Sequence, residues 1–89
     1  MHAVVVSVTV NDGEAATRHL RETIVPTVSQ APGFVAGYWV RLEGGNQGRA
    51  TMVFESEDAA RQVAGQISPA PDDATQIESI DVGEVVEHA

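Results

Sequence analysis

Across residues 3–10 the chain alternates, with Val4, Val6, Val8 and Val10 on one face and Val5, Ser7 and Thr9 on the other. Twofold alternation of β-branched residues specifies a strand. Asn11-Asp12-Gly13 then supplies a turn and a helix cap, followed by Glu14 in the first turn, where the macrodipole favours an acid. The period becomes helical up to about residue 31, and Ala16, Leu20, Ile24, Val28 and Ala31 form the apolar stripe. Pro26 falls inside this segment. It has no amide hydrogen to donate and its ring crowds the preceding turn, so a bend or break is expected near Glu22 and Thr23, with a separate short helix beyond it.

Pro32-Gly33-Phe34 ends the helical pattern and opens an aromatic strand over residues 34 to about 43. A third strand is expected over residues 49–55, joined to the second by the hairpin loop Gly44-Gly45-Asn46-Gln47-Gly48. A five-residue loop predicts the pairs Leu42 with Ala50, Val40 with Met52, and Tyr38 with Phe54. That register puts Phe34, Ala36, Tyr38, Val40, Leu42, Ala50, Met52 and Phe54 on one apolar face and pairs Glu43 with Arg49 across the other. Ser56-Glu57-Asp58 caps a second helix with Ala59, Ala60, Val63, Ala64 and Ile67 on its buried side, stopping before Pro69. The remainder, from residue 75 to about 86, reads as a fourth strand with a bulge or kink at Gly83.

The order is βαββαβ. Right-handed crossovers place strands one and three at the centre of a four-stranded antiparallel sheet with both helices on one face, the ferredoxin-like arrangement, as a single domain over residues 1–89. The other face would carry Val5, Ser7, Thr9, Val35, Gly37, Trp39, Arg41, Thr51 and Val53. Such a face is too apolar for free exposure and too polar for an ordinary core, so a second copy is expected to cover it in a twofold homodimer. Size points the same way: a chain of 89 residues buries only about 60 to 65% of its unfolded surface.

Charge narrows the partners. The net charge is -8, and the excess lies from Glu55 onward, where nine acids face Arg61 alone. That surface repels phosphate backbones and anionic lipid, so neither nucleic acid nor membrane is expected as a partner. The chain has no Cys and no Lys, which excludes thiolate catalysis, thiolate metal sites and Schiff-base chemistry. The apolar opening is too short to span a bilayer and follows no basic segment, leaving a cytoplasmic location as the default.

Pro26 within the first helix, Pro32-Gly33-Phe34 at the start of strand two, the Tyr38-Trp39 pair, and Phe54-Glu55-Ser56-Glu57-Asp58-Ala59-Ala60 leading into helix two together carry a resemblance. Over nearly its whole length the chain resembles the antibiotic biosynthesis monooxygenase-like group of the dimeric α+β barrel superfamily. The resemblance implies two ferredoxin-like sheets packed face to face. It also implies a functionally mixed company: cofactor-independent oxygenases of quinol-like polyketides, haem-degrading enzymes, small isomerases and decarboxylases. The haem-degrading branch lines one pocket with Asn, Trp and His, and the positions of Asn11, Trp39 and His88 do not reproduce that set. Cofactor-free oxygenation asks mainly for a dry cavity, orienting hydrogen bonds and sometimes a base.

Each candidate residue has a chemical and a structural reading. Trp39, with Arg41 and Thr51 near it, forms either the wall of a small-molecule site or part of the dimer interface. Tyr38 and Phe54 face the helices, Tyr38 either offering its hydroxyl to a helix-sheet cavity or anchoring the core. His19, at the flank of the helical stripe, is a general base at the cavity edge or an exposed side chain near Glu22. His2 and His88 are brought together if strands one and four are neighbours, giving either a metal clamp with Glu87 or two frayed termini. The glycine-rich hairpin precedes a strand, so it lacks the helix N-terminus of a phosphate loop. These readings converge on a homodimeric α+β protein that binds a small apolar or aromatic molecule, needing neither cofactor nor metal, with cofactor-independent oxygenation implied by the resemblance. The alternative is a non-catalytic dimerisation or ligand-sensing module.

Overall fold

The computed structural model describes residues 1–89. Four strands, β1 (His2–Val10), β2 (Phe34–Arg41), β3 (Gln47–Phe54) and β4 (Thr75–Glu84), form one antiparallel sheet in the order β2-β3-β1-β4. Helices α1 (Gly13–His19) and α2 (Val25–Ser29) precede β2, and α3 (Glu57–Ala64) lies between β3 and β4. The central pair β3 and β1 and the βαββαβ order are compatible with a ferredoxin-like fold. No helix is long and apolar enough to cross a membrane.

Local chemistry starts α1 and α3. The Asp12 carboxylate accepts from the Ala15 amide at 3.1 Å, and the Ser56 hydroxyl accepts from the Ala59 amide at 3.2 Å. Gly33 adopts φ +81°, and its carbonyl accepts from the Glu55 amide at 2.8 Å, tying the start of β2 to the end of β3. A side chain at Gly33 would meet both the left-handed backbone and the Ala59 methyl, 3.1 Å from its Cβ.

The break expected ahead of Pro26 takes the form of a π-helical turn, Leu20–Ile24, joining α1 to α2. In an α register Pro26 would have to donate to the Glu22 carbonyl, which it cannot. Widening the turn moves the bonding out by one residue, and the Val25 amide donates to the Leu20 carbonyl.

The core sits between α3 and the sheet. Val4, Val6, Ala50, Met52 and Phe54 from the strands meet Ala60 and Val63 from α3 and Val28 from α2. Phe54 is fully buried, and Phe34 packs edge-on against it with ring centroids 5.8 Å apart and planes at 75°. By contrast, α1 and the π turn approach the sheet less closely than α3 does. That difference leaves a space over the outer part of the sheet.

The hairpin differs from the expected register. Leu42 donates to Gln47 across a four-residue turn, and the ladder runs Arg41 to Gly48, Val40 to Arg49, Trp39 to Ala50 and Tyr38 to Thr51. The pairing is displaced by three residues from that expected with the loop at 44–48. An odd displacement exchanges the two faces of β2. A bulge at Val35 then returns Phe34 to the helix side opposite Phe54. Gly37, Trp39 and Arg41 therefore face the helices, while Ala36, Tyr38 and Val40 face away, the reverse of expectation. The expected pairing of Glu43 with Arg49 is absent, since Arg49 bonds Gly48 and Gln47 instead. In β4 the irregularity falls opposite Ser7 and Val8, at Glu78, with Gly83 pairing regularly with Ala3.

Candidate functional site

A partly open cavity of about 570 Å³ occupies the space between the sheet and the first helical stretch. Its floor is the helix-facing side of the strands, chiefly Val6, Val8, Trp39, Ala50 and Ile77. Its roof is the stripe Ala16, Leu20, Ile24 and Val28. The α3 end and the segment after it close one side with Val63, Gln66, Ile67 and Ser68. Most of this lining is apolar, and the polar groups among it are hydroxyls, one amide, His19 and two arginines. Leu20, Ile24, Trp39 and Ile67 stay only half-buried because they border this space.

The π turn shapes the roof. It lies directly above the cavity and contributes Leu20, Thr23 and Ile24 to the wall. An α-helix of the same sequence would advance each of the following residues by about 100° per position without the added residue in the turn, rotating α2 relative to α1.

Trp39 reaches its place because of Gly37. A Cβ built at Gly37 would lie 2.8 Å from Cη2 and 3.0 Å from Cζ3 of Trp39, and 3.4 Å from Cζ of Phe34. The indole thus lies back along the strand over a position that has no side chain. Reasoning from the sequence overlooked Gly37 as a determinant. Its signal was available in the Gly-Tyr-Trp spacing, which puts a glycine and a large ring two apart on one strand face.

Arg41 follows Trp39 on the same face. Its Nη2 donates to the Gly13 carbonyl at 3.4 Å, and a Cβ at Gly13 would come within 2.8 Å of Nη1. The guanidinium is therefore laid against the start of α1, at the rim of the cavity. Neither of the two ion pairs in the molecule involves it.

Of the residues singled out from sequence, His19, Trp39 and Arg41 border one cavity. Tyr38 does not: it is 67% exposed on the opposite face, paired with Thr51. Its expected helix-facing position is corrected by the register displacement, as is the expected sheet-face position of Trp39 and Arg41. Phe54 does face the helices, but as a buried core residue set back from the cavity wall. His19 has no carboxylate within 4.0 Å, so no acid orients its ring. His2 lies with Nε2 3.8 Å from Oε1 of Glu57, and no group of three or more potential metal ligands is gathered in the fold. Arg61, donating to Glu57 at 2.8 Å and placing its charge beside it, holds that carboxyl below the usual range.

The sheet's other face presents Val5, Tyr38, Val40, Thr51 and Val53, with Ser7, Thr9 and Arg49 toward one end. Val5 is 39% and Val40 51% exposed, so an apolar strip runs across three strands without cover. No protein-family model matches this chain, and no curated protein matches it.

Proposed function

We propose that the protein binds a small, largely apolar or aromatic molecule between its first helical stretch and its sheet, and that it does so as a homodimer joined through the open sheet faces. The observation that carries the ligand reading is the cavity itself. A protein with only eleven buried apolar residues keeps about 570 Å³ of apolar-lined space beside its core, a volume in the range of small-molecule sites. Left empty, such a space forfeits packing that an 89-residue chain can ill spare. A ligand restores those contacts.

The dimer reading rests on the strip around Val5, Tyr38 and Val40. Pairing two such faces about a twofold axis would bury it, and it lies on the side of the sheet away from the cavity, so both functions coexist.

The resemblance to the antibiotic biosynthesis monooxygenase-like group extends the reading to cofactor-independent oxygenation of a quinol-like substrate. In that extension Trp39 and the aliphatic wall exclude water from the substrate, the threonines of the roof orient it, and His19 accepts a proton. The reading from another class, a binding module without chemistry, is favoured by the unpartnered state of His19. A catalytic histidine is ordinarily oriented by a second group, and none stands beside this one.

Trp39 is the only Trp and borders the cavity, so its emission reports occupancy. Titration with quinols, aromatic polyketides, flavin and haem should give saturable quenching with an apolar or quinol-like class. Indifference to all of them would sink the ligand reading. Oxygen uptake with the bound class separates the enzyme from the binding module.

A further inference from the structure

Thirteen Asp and Glu residues occur in this chain, yet none borders the cavity. The charged residues that do are Arg41 and Arg49, two of only five arginines. Arg49 is engaged already, donating to the Gly48 carbonyl at 3.0 Å and to Oε1 of Gln47 at 3.3 Å from a strand position on the other face. Arg41 is not. Its one side-chain hydrogen bond is the 3.4 Å contact to Gly13, no carboxylate neutralises it, and it borders a cavity whose lining is mostly apolar and holds no acid.

A guanidinium offers five donors in a planar fork that matches an oxyanion. Held at the rim of an apolar space, it suits a molecule with a hydrophobic body and one negative end. Building on the reading of the cavity as a ligand site, we propose that the ligand is an amphipathic organic anion, its body in the cavity and its acid group on Arg41. The excess of acid elsewhere on the surface disfavours anions at other places, which makes the attraction local to this rim.

The test uses two probes with one ring system, the anionic anilinonaphthalene sulfonate and its uncharged parent phenylnaphthylamine, titrated by probe fluorescence and by Trp39 quenching. The wild-type protein is expected to bind the sulfonate roughly tenfold more tightly, a charge-assisted hydrogen bond's worth of preference. Arg41→Gln should lose roughly that factor for the sulfonate and leave the neutral probe unchanged, and Arg41→Lys should keep part of it. On the wild-type protein alone, added salt should weaken the sulfonate and spare the neutral probe. Equal wild-type affinities, or equal weakening of both probes by Arg41→Gln, would overturn the anion preference while leaving the cavity a ligand site. Failure of both probes to bind would overturn both readings.

Discussion

A methyl group at residue 37 and the Trp39 indole cannot occupy their places together, because the added carbon would stand 2.8 Å from the ring. Gly37→Ala is therefore expected to lift the indole into the cavity, costing about 1–3 kcal/mol of stability through overpacking and weakening every cavity ligand, anionic or neutral. Thermal denaturation and Trp emission check this; an unchanged emission maximum with unchanged affinity would refute it. Glu57 gives a second prediction at this scale. Its carboxyl is held low by Arg61, so the pair's contribution to stability is present above the unfolded pKa of about 4.3 and fades as pH falls through the lower folded value. The melting temperatures of wild type and Glu57→Gln should differ slightly at neutral pH and converge in acid. A difference that grows toward low pH would contradict the assignment.

At the level of elements, the π turn is the feature that most directly joins sequence to site. Pro26→Ala restores an amide donor facing the Glu22 carbonyl and removes the ring, so the helical stretch should relax toward a regular α-helix. Stability is expected to rise by about 1–3 kcal/mol, while the rotation of Leu20, Thr23 and Ile24 weakens ligand binding. Circular dichroism with melting, alongside the Trp39 titration, would show whether the two effects move in opposite directions; a stabilised variant with undiminished binding would separate the turn from the site. The place of this distortion was legible in the sequence because proline chemistry is local, and so were both helix caps, at Asp12 and Ser56. The strand order followed from the βαββαβ succession for the same kind of reason: few topologies satisfy it. The register of the β2-β3 hairpin was not legible. Val35, Tyr38, Trp39 and Val40 put apolar residues on both faces of β2, so alternation does not say which face turns inward. The choice then rests on loop length, and three glycines around Asn46 allow a turn at 43–46 as readily as at 44–48. With the register went the placement of Tyr38, Trp39 and Arg41.

For the molecule as a whole, the cavity lies on the helix side of the sheet and the uncovered apolar strip on the other. Val40 lies on the bare side at 51% exposure, near Tyr38 and Thr51. In the proposed dimer, Val40→Arg would set two charges into the twofold interface and should leave a monomer at micromolar concentration by light scattering, with the proposed Trp39 ligand response retained. A dimer that survives this substitution and Val5→Arg alike would move the interface elsewhere. The proposed association should also stabilise the fold with rising protein concentration, since partner binding adds to folding by mass action.

Because β2 carries a large aromatic on each side, the strand is reversible in a way most are not. Tyr38 and Trp39 are neighbours in sequence, and the parity of the hairpin register alone decides which of them faces the cavity and which the bare side of the sheet. One residue gained or lost in the turn at 43–46 would exchange their offices. On the proposed reading, ligand choice and quaternary structure are thus open to change in a single evolutionary step, and they would change together.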